Sequence, residues 1–255
     1  MVWFLDSMLI LEIRILIELF ILFFKEVMEP LIRVKNMYKI YNPGENEVRA
    51  LDDVSLEINQ GEFIAIVGHS GSGKSTFMNM LGCLDTPDSG EYFLDGKDVA
   101  NLSDNELSDI RNHKIGFIFQ GFNLIPNLDA LGNVELPLIY RGLGKQQRKE
   151  IAGEALSKVG LENRMDHRPN QLSGGQQQRV AVARAIAAQP PIILADEPTG
   201  NLDSKNGAEV MQLLTELNKE GTTIVMVTHS KHDASFAHRI INLFDGSIVS
   251  SVSEF

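Results

Sequence analysis

The 255-residue sequence predicts an α/β fold with a mainly parallel sheet, an antiparallel β subdomain and a helical insert. Short apolar runs such as EFIAIV and PIILA are typical of parallel strands that are buried on both faces. Two alternating segments near the start of the chain are typical of antiparallel strands, and a long stretch with helical periodicity separates the two apolar runs. Parallel strands carry functional groups at their carboxyl ends, so we expect the site at one edge of the sheet.

Composition and charge narrow the class of protein. The chain has 44% apolar and 22% charged residues, which is ordinary for a soluble globular protein, and its length fits one large domain or two small ones. Its formal charge of −11 would repel a phosphate backbone, and no run of Lys or Arg offsets it, so nucleic acid is disfavoured as a partner. The single cysteine, Cys83, excludes an internal disulfide and a multi-cysteine metal site, which is consistent with a reducing compartment.

Residues 1–27 form an almost wholly apolar extension that is long enough to span a membrane. Glu12, Arg14 and Glu18 fall in its middle, and together they would cost about 8 to 10 kcal/mol in a bilayer, which disfavours a lone spanning helix. A basic start and a small-residue cleavage site are missing, so a secretory signal fits poorly. Two alternatives stay open: a helix lying in a membrane surface or on a partner, or translation from Met28 with the extension absent or disordered.

The remaining segment, residues 28–255, begins with the alternating runs LIRVKNMYKIY and VRALDDVSLEI, which predict an antiparallel sheet. Tyr41 closes the first run and is either an ordinary strand aromatic or a stacking face for a base. An apolar strand then leads directly into GHSGSGKST and a helix, which is the setting that a phosphate-binding loop requires. In such a loop Lys74 reaches the β- and γ-phosphates and the Ser75 hydroxyl binds Mg²⁺. The predicted loop comprises Gly68, His69, Ser70, Gly71, Ser72, Gly73, Lys74, Ser75 and Thr76.

A helical insert follows the phosphate-binding loop. The strand IGFIFQ ends in Gln120, which is either an ordinary polar stop or a side chain that contacts Mg²⁺ or the attacking water. Apolar residues then recur at helical spacing from 127 to 160, broken by the turn RGLGK. We expect a helical subdomain over about residues 122–184.

A second phosphate-binding element is predicted in LSGGQQQR. Its glycines allow close backbone approach to an anion, and the helix that begins there offers free N–H groups and the positive end of its dipole. Alone, this motif is equally well an ordinary helix start with Ser173 as the N-cap. The motif gains weight because an apolar strand ends in Asp196 and Glu197, 23 positions after Ser173 (173 to 196). The residues of the predicted element are Ser173, Gly174, Gly175 and Gln176.

The last third of the chain predicts one more strand at the same edge. An amphipathic helix follows Asp203 and Ser204, and the buried strand TTIVMVTH ends in His229. Because this strand should end beside Asp196 and Glu197, we favour a phosphate-facing role for His229 over a structural one. The segment RIINLFDGSIV predicts a terminal hairpin.

These motifs, in this order and spacing, resemble the nucleotide-binding subunit of an ATP-binding-cassette (ABC) transporter, a P-loop NTPase fold. The resemblance covers about residues 31–252, and residues 1–27 have no counterpart in it. GFIFQGFNLIPNLDALGNVELPL and DEPTGNLDS further resemble the subgroup that serves lipoprotein release, macrolide efflux and cell division. Ser230 departs from the family, which commonly has an acid there. The motifs are GHSGSGKST, Gln120, LSGGQQQR, IILADEP, the loop Asn201, Leu202 and Asp203, and His229.

The resemblance implies a Mg²⁺-dependent ATPase that works as a head-to-tail pair. Ser173 and Gly175 of one copy would contact the γ-phosphate that Lys74 of the other copy holds. Mg²⁺ would be bound by Ser75, Gln120 and Asp196.

The resemblance also implies roles for four further residues. Glu197 would polarise the attacking water, and His229 would contact the γ-phosphate. Tyr41 would stack on adenine, and Asp203 would lie across the seam between the two copies.

The implied partner is an integral membrane permease, which places this chain peripherally on the cytoplasmic face of the inner membrane for export or lipoprotein release. The permease selects the substrate, so the sequence predicts none. One alternative is a regulatory ATPase of a cell-division-type membrane complex. A soluble cassette ATPase acting on DNA or the ribosome is disfavoured, because the chain has no coiled-coil insert, zinc cysteines or second cassette.

We expect the permease to dock on residues 121–126. Phe122, Leu124 and Ile125 crowd apolar side chains just past a strand end, where a loop should run over the surface. The alternative is that these side chains pack the helical insert against the core.

Overall fold

The computed structural model describes Arg14, residues 29–44 and residues 46–249, which form two β-sheets and helices on both faces of the larger sheet. The predictions for residues 1–27 lie outside these residues, apart from Arg14. Within the described ranges, no helix combines the length and the apolar character needed to cross a membrane.

The smaller sheet is the predicted antiparallel subdomain. Its strand order is β2-β1-β4-β5, and every pair in it is antiparallel. Tyr41 pairs with Val48, so the last residue of β1 and the first of β2 lie side by side at one end of the sheet. The strands are β1 (Ile32–Tyr41), β2 (Val48–Ile58), β4 (Ser89–Leu94) and β5 (Lys97–Asp98).

The larger sheet is mainly parallel, as predicted. Its strand order is β10-β9-β3-β8-β7-β6, and only the terminal β9–β10 hairpin is antiparallel among these pairs. The hairpin turns at Asp245 and Gly246, as the sequence predicts. The strands are β3 (Phe63–Val67), β6 (Ile115–Phe119), β7 (Ile192–Asp196), β8 (Thr223–Val227), β9 (Arg239–Phe244) and β10 (Ser247–Val249).

Seven α-helices lie in the described part of the chain after residue 28, and three of them form the helical insert. The third, fourth and fifth helices pack on one another, and the fifth extends three residues beyond the predicted limit of 184. The helices are α1 (Lys74–Leu81), α2 (Asp104–Lys114), α3 (Ala130–Tyr140), α4 (Lys145–Lys158), α5 (Gly174–Ala187), α6 (Ser204–Lys219) and α7 (Lys231–Ala234).

Two apolar clusters hold these layers together on opposite faces of the larger sheet. Successive strand residues point to opposite faces, so Ile64 and Ile66 of β3 join Phe77 of α1 in one cluster. Phe63 and Ala65 join the helical insert and α6 in the other. The parallel strands are thereby fixed from both sides, and their carboxyl ends meet at one edge.

Candidate active site

A cavity of about 1070 Å³ opens at this edge, where the smaller sheet meets the larger one. The ends of β3, β7 and β8 line it from one side, and residues 48–50 of β2 line it from the other. Most of the predicted site residues meet here. They are Tyr41, Gly68, His69, Ser70, Gly71, Gly73, Lys74, Ser75, Thr76, Gln120, Asp196, Glu197 and His229.

The phosphate-binding loop needs its glycines because other backbone approaches it closely. A Cβ at Gly68 would lie 2.2 Å from the Leu243 carbonyl oxygen, and one at Gly73 would lie 2.3 Å from the Ala50 carbonyl oxygen. Gly73 also has a φ of 98°, which only glycine adopts without strain, and it is the N-cap of α1. The predicted residue Ser72 is fully buried and does not line the cavity; its hydroxyl occupies the space beside Gly68.

Lys74 is the cation that faces the carboxylates of the site. Its Nζ donates to the carbonyl oxygens of Gly68 and His69, at 2.8 and 2.9 Å. The pKa of Lys74 is lowered from its ordinary value, because the effect of partial burial exceeds the opposing effect of the negative charges of Glu197 and Asp196. A phosphate held by the phosphate-binding loop would therefore lie close to the Lys74 ammonium group.

The two carboxylates differ in environment although they are adjacent in sequence. Asp196 ends β7; burial and the charge of Glu197 raise its pKa, while Lys74 lowers it. Glu197 has a φ of 45°, which is uncommon for a residue with a side chain, and its N–H donates to the Val227 carbonyl oxygen at 2.9 Å. This left-handed turn directs the chain away from β7 just after the strand ends, and a fixed strained residue is typical of a functional site.

The Glu197 carboxylate is held at both oxygens. His229 Nδ1 lies 2.8 Å from Oε1, and the Thr228 hydroxyl lies 3.4 Å from Oε2. The Glu197 side chain is 15% exposed and that of His229 is 72% exposed, so the histidine stands at the mouth of the cavity. Thr228 was not predicted as a site residue; its place at the end of a strand that also leads to His229 was the available signal.

Gln120 contacts the loop that follows the carboxylates. Its carbonyl oxygen accepts from Asn201 Nδ2 at 2.9 Å, and its Nε2 lies 3.4 Å from Asn201 Oδ1. A Cβ at Gly200 would lie 2.7 Å from Gln120 Nε2, so this glycine makes room for the side chain. The contact joins residues that are 81 positions apart in the sequence.

The other predicted residues lie away from the cavity, at the N-termini of α5 and α6. Ser173 and Gln176 form a capping box: the Ser173 hydroxyl accepts from the Gln176 N–H at 3.3 Å, and Gln176 Oε1 accepts from the Ser173 N–H at 2.9 Å. Asp203 caps α6 and accepts from the Asn206 N–H at 2.9 Å. Besides the buried Ser72, the predicted residues that the cavity does not include are Ser173, Gly174, Gly175, Gln176 and Asp203.

Asn206, which the sequence did not single out, connects these two helix N-termini. Its Nδ2 donates to Asp203 Oδ2 at 2.6 Å, and the backbone and side-chain bonds from Asn206 lower the pKa of Asp203. A Cβ at Gly175 would lie 1.9 Å from Asn206 Oδ1, so the asparagine side chain fills the space beside that glycine.

The donor set of the cavity fits Mg²⁺. Among the residues that the structure describes, no three His, Cys, Asp or Glu cluster as metal ligands. Asp196, Gln120 and Ser75 share the cavity and offer one carboxylate, one amide oxygen and one hydroxyl. Mg²⁺ is usually held by one or two carboxylates together with substrate phosphates and water, which matches this set.

Residues 51–200 match the family model described as ABC transporter. The chain is 53% identical over 223 residues to the uncharacterized ABC transporter ATP-binding protein YknY of Bacillus subtilis (strain 168), covering 88% of this chain and 97% of that protein. It is 52% identical over 222 residues to the macrolide export ATP-binding/permease protein MacB of Shewanella sp. (strain ANA-3), covering 87% of this chain and 34% of that protein. The chain therefore spans about a third of the length of this MacB protein.

Solved structures give the same fold. The dimeric ATP-binding cassette MJ0796, in a post-hydrolysis state bound to ADP and Pi, is 51% identical with a TM-score of 0.80, covering 88% of this chain and 100% of that chain. The cbiO1 protein of Clostridium perfringens, part of the ABC transporter complex cbiONQ, is 28% identical with a TM-score of 0.78, covering 87% of each chain.

Proposed function

We propose, since this chain belongs to the ABC transporter family, that two copies of it hydrolyse ATP at shared sites and drive export through a membrane permease. Family membership makes the chain the ATP-binding and ATP-hydrolysing part of a transporter. The observation that carries the paired arrangement is the division of the predicted residues into a cavity group and a second group at two helix N-termini. One chain alone would therefore supply its cavity group to one ATP site and its second group to the other, and neither group completes a site by itself.

ATP would lie across the cavity with its base toward the smaller sheet. Tyr41 is 37% exposed at this end and is placed to stack on adenine. The N–H groups of the phosphate-binding loop and of the start of α1 would hold the phosphates, and Lys74 would move from its own carbonyl partners to the β- and γ-phosphates.

The chemistry would be performed by residues at the strand ends. Ser75, Gln120 and Asp196 would hold Mg²⁺, which neutralises charge on the phosphate oxygens when it is bound. Glu197 would accept a proton from the attacking water, because its carboxylate is the group that the fold holds at both oxygens. His229 would orient that carboxylate and contact the γ-phosphate from the mouth of the cavity.

The second copy would close the cavity with its second group. Ser173 caps α5, a helix of 14 residues, and Gly175 lies in its first turn, so the Ser173 hydroxyl, the Gly175 N–H and the helix dipole would suit the γ-phosphate of the opposite copy. Asp203 is exposed and would lie at the seam. The MJ0796 cassette, which is dimeric, supports this arrangement.

The permease would dock on an apolar groove beside the predicted segment 121–126. The structure divides that segment: Leu124 packs against the core, as in the alternative interpretation, whereas Ile125 is 43% exposed. Next to it lies a groove of about 520 Å³, at whose rim Tyr140 is 79% exposed. The apolar residues of this groove include Phe117, Phe119, Leu136, Pro137 and Tyr140.

The loop beside this groove, residues 121–126, is held in place by hydrogen bonds to its backbone. Phe122 and Asn123 both have positive φ, at 61° and 50°, and Arg184 Nη2 donates to the Phe122 carbonyl oxygen at 2.9 Å. The fully buried Asn133 accepts from the Ile125 N–H at 2.7 Å. A permease helix pressing here would act on a fixed loop that leads back to Gln120, and would hold the chain peripherally on the cytoplasmic face of the inner membrane.

Export is favoured over the cell-division alternative by the named relatives. MacB is a macrolide export protein that joins an ATP-binding part to a permease in one chain, and this chain matches a length corresponding to the ATP-binding part. We propose export of a substrate that a separate permease selects.

The test uses Glu197→Gln, which keeps the side-chain shape but cannot take a proton. Turnover should fall by about 10² to 10⁴ with ATP affinity unchanged, and an ATP-bound dimer should accumulate in size-exclusion chromatography with light scattering. Adding Ser173→Arg should abolish that dimer without weakening ATP binding, because Ser173 does not line the chain's own cavity. Ser157→Arg, on an exposed serine of α4, is the matched control. A dimer that persists with Ser173→Arg would refute the head-to-tail arrangement.

A further inference from the structure

The Tyr41 side chain is held by two residues that the nucleotide motifs do not include. Lys39 Nζ lies over the tyrosine ring, 5.4 Å from its centroid. The Tyr41 hydroxyl donates to Asp85 Oδ2 at 3.1 Å, and Lys39 Nζ donates to Asp85 Oδ1 at 2.9 Å. The three side chains thus contact one another pairwise, two from β1 and one from the loop after α1.

The lysine in this cluster is buried and fixed. Lys39 is 9% exposed, which is rare for a lysine unless it is paired. Its ammonium group is bound to Asp85 and to the Thr86 carbonyl oxygen at 2.8 Å. With two acceptors and a ring in contact, the ammonium has little freedom, and the ring is confined with it.

Attachment of the loop to the strand does not account for the cluster. Asp88 already makes that attachment, because its Oδ2 accepts from the Ile40 N–H at 2.5 Å and its own N–H donates to the Tyr38 carbonyl oxygen at 2.9 Å. What the contacts of Lys39 and Asp85 add is that they fix the orientation of the Tyr41 side chain.

The arrangement leaves one face of the ring for a base. Lys39 occupies the other face, and the ring still lines the cavity. An ammonium over one face draws π-electron density toward itself, which makes the opposite face less negative. An electron-rich purine stacks on such a face with less repulsion. The hydroxyl bond to Asp85 fixes the ring's rotation.

We propose that Lys39 and Asp85 are positioning residues that hold the Tyr41 ring for the base of ATP. The proposal rests on the proposed stacking of adenine on Tyr41. Their contribution is confined to the base, since neither residue lines the phosphate end of the cavity. Loss of the cluster therefore weakens ATP binding and leaves inorganic tripolyphosphate binding unchanged.

The test measures the affinity of the full chain for ATP and for tripolyphosphate by calorimetry, both with Mg²⁺. Lys39→Met keeps the length of the buried side chain, and it should weaken ATP binding about 3- to 10-fold. Tyr41→Phe removes only the hydroxyl bond to Asp85, whereas Asp85→Ala also removes the ion pair with Lys39, so Asp85→Ala should have the larger effect and the two should not be additive. Lys114→Met is the matched control, since Lys114 pairs with Asp95 at 2.6 Å outside the cavity.

Tyr41→Ala tests the stacking of adenine on Tyr41 separately from the positioning role of Lys39 and Asp85. It should weaken ATP binding about 5- to 150-fold. If it has no effect, adenine does not stack on Tyr41 and both proposals fail. If it weakens ATP binding while Lys39→Met matches the Lys114→Met control, only the positioning role is wrong. Equal weakening of ATP and tripolyphosphate by Lys39→Met would also overturn it, because the cluster would then act on the phosphate-binding loop.

Discussion

Thr199→Val should destabilise the folded chain by about 2 kcal/mol. The Thr199 hydroxyl donates to Asp233 Oδ2, and Asp233 is only 6% exposed. Valine has the same shape but leaves a buried carboxylate one hydrogen bond short, which costs roughly 1 to 3 kcal/mol. For a chain of this length each kcal/mol shifts Tm by about 2 to 4 °C, so we expect Tm to fall by about 4 to 8 °C in thermal denaturation.

The same change should also slow hydrolysis. Thr199 follows Glu197 by two positions and Asp233 follows His229 by four, so their bond joins the two segments whose side chains meet in the cavity. Without it the Glu197 and His229 contact loosens, and small errors in catalytic geometry are costly. We expect kcat to fall about 10-fold in a steady-state ATPase assay while the ATP affinity stays unchanged.

Two variants decide whether the buried carboxylate is the cause. Thr215→Val is the control, because the Thr215 hydroxyl donates to the Met211 carbonyl oxygen of its own helix at 2.8 Å and its loss should be nearly neutral. Thr199→Val with Asp233→Leu replaces both partners by apolar groups and should recover most of the lost stability. The reasoning is refuted if Thr199→Val melts like Thr215→Val, or if the double variant loses the sum of the two single effects.

Two further predictions concern the carboxylate of Asp196 and the docking groove. Asp196→Asn should abolish Mg²⁺-dependent hydrolysis yet raise the stability of the nucleotide-free chain by roughly 0.5 to 1 kcal/mol, discounted for partial exposure. Burial and Glu197 raise the pKa of Asp196, so the folded chain is destabilised by the ionised carboxylate as pH rises through that pKa. Because asparagine carries no charge, the gain in Tm from Asp196→Asn should be larger at pH 8 than near pH 4. The opposite trend would contradict this reasoning. Tyr140→Ser should leave the Tm and basal ATPase of the isolated chain unchanged but remove permease-stimulated hydrolysis in detergent, with Leu84→Ser, another exposed apolar residue, as control. A lower Tm with intact stimulation would leave only a packing role for Tyr140.

Much of the fold could be predicted because its signals are local. The apolar run that forms β7 is bounded by a proline pair and by two carboxylates, and its length fits a strand rather than a helix. Gly73 and Lys74 mark the start of α1 because only a glycine-rich loop turns directly from a strand into a helix there. The mainly parallel sheet and the antiparallel subdomain could be predicted for the same reason, and the structure confirms both.

The contacts within the site that the sequence does not predict join distant segments. Asn201 meets Gln120 across 81 positions, and Asn206 meets Gly175 across an intervening strand. No periodicity or short motif reports such a contact, since it arises only when the sheet order brings the segments together. The strained φ of Glu197 also comes from the tertiary structure, because glutamate has no intrinsic preference for that conformation. The exposure of Ile125 but not of Leu124 was likewise decided by packing against the core.

The loop from Gly200 to Asp203 stands between the two halves of the proposed site. At its start, Gly200 and Asn201 pack on Gln120, which lines the chain's own cavity. At its end, Asp203 is bonded to Asn206, whose side chain fills the space beside Gly175. A shift of Gln120 would therefore move the loop whose other end is attached to the N-termini of α5 and α6. In the proposed pair these N-termini face the partner's nucleotide. A change in nucleotide or Mg²⁺ binding in one cavity would therefore alter the contacts made to the nucleotide in the other, through direct contacts of a single short loop.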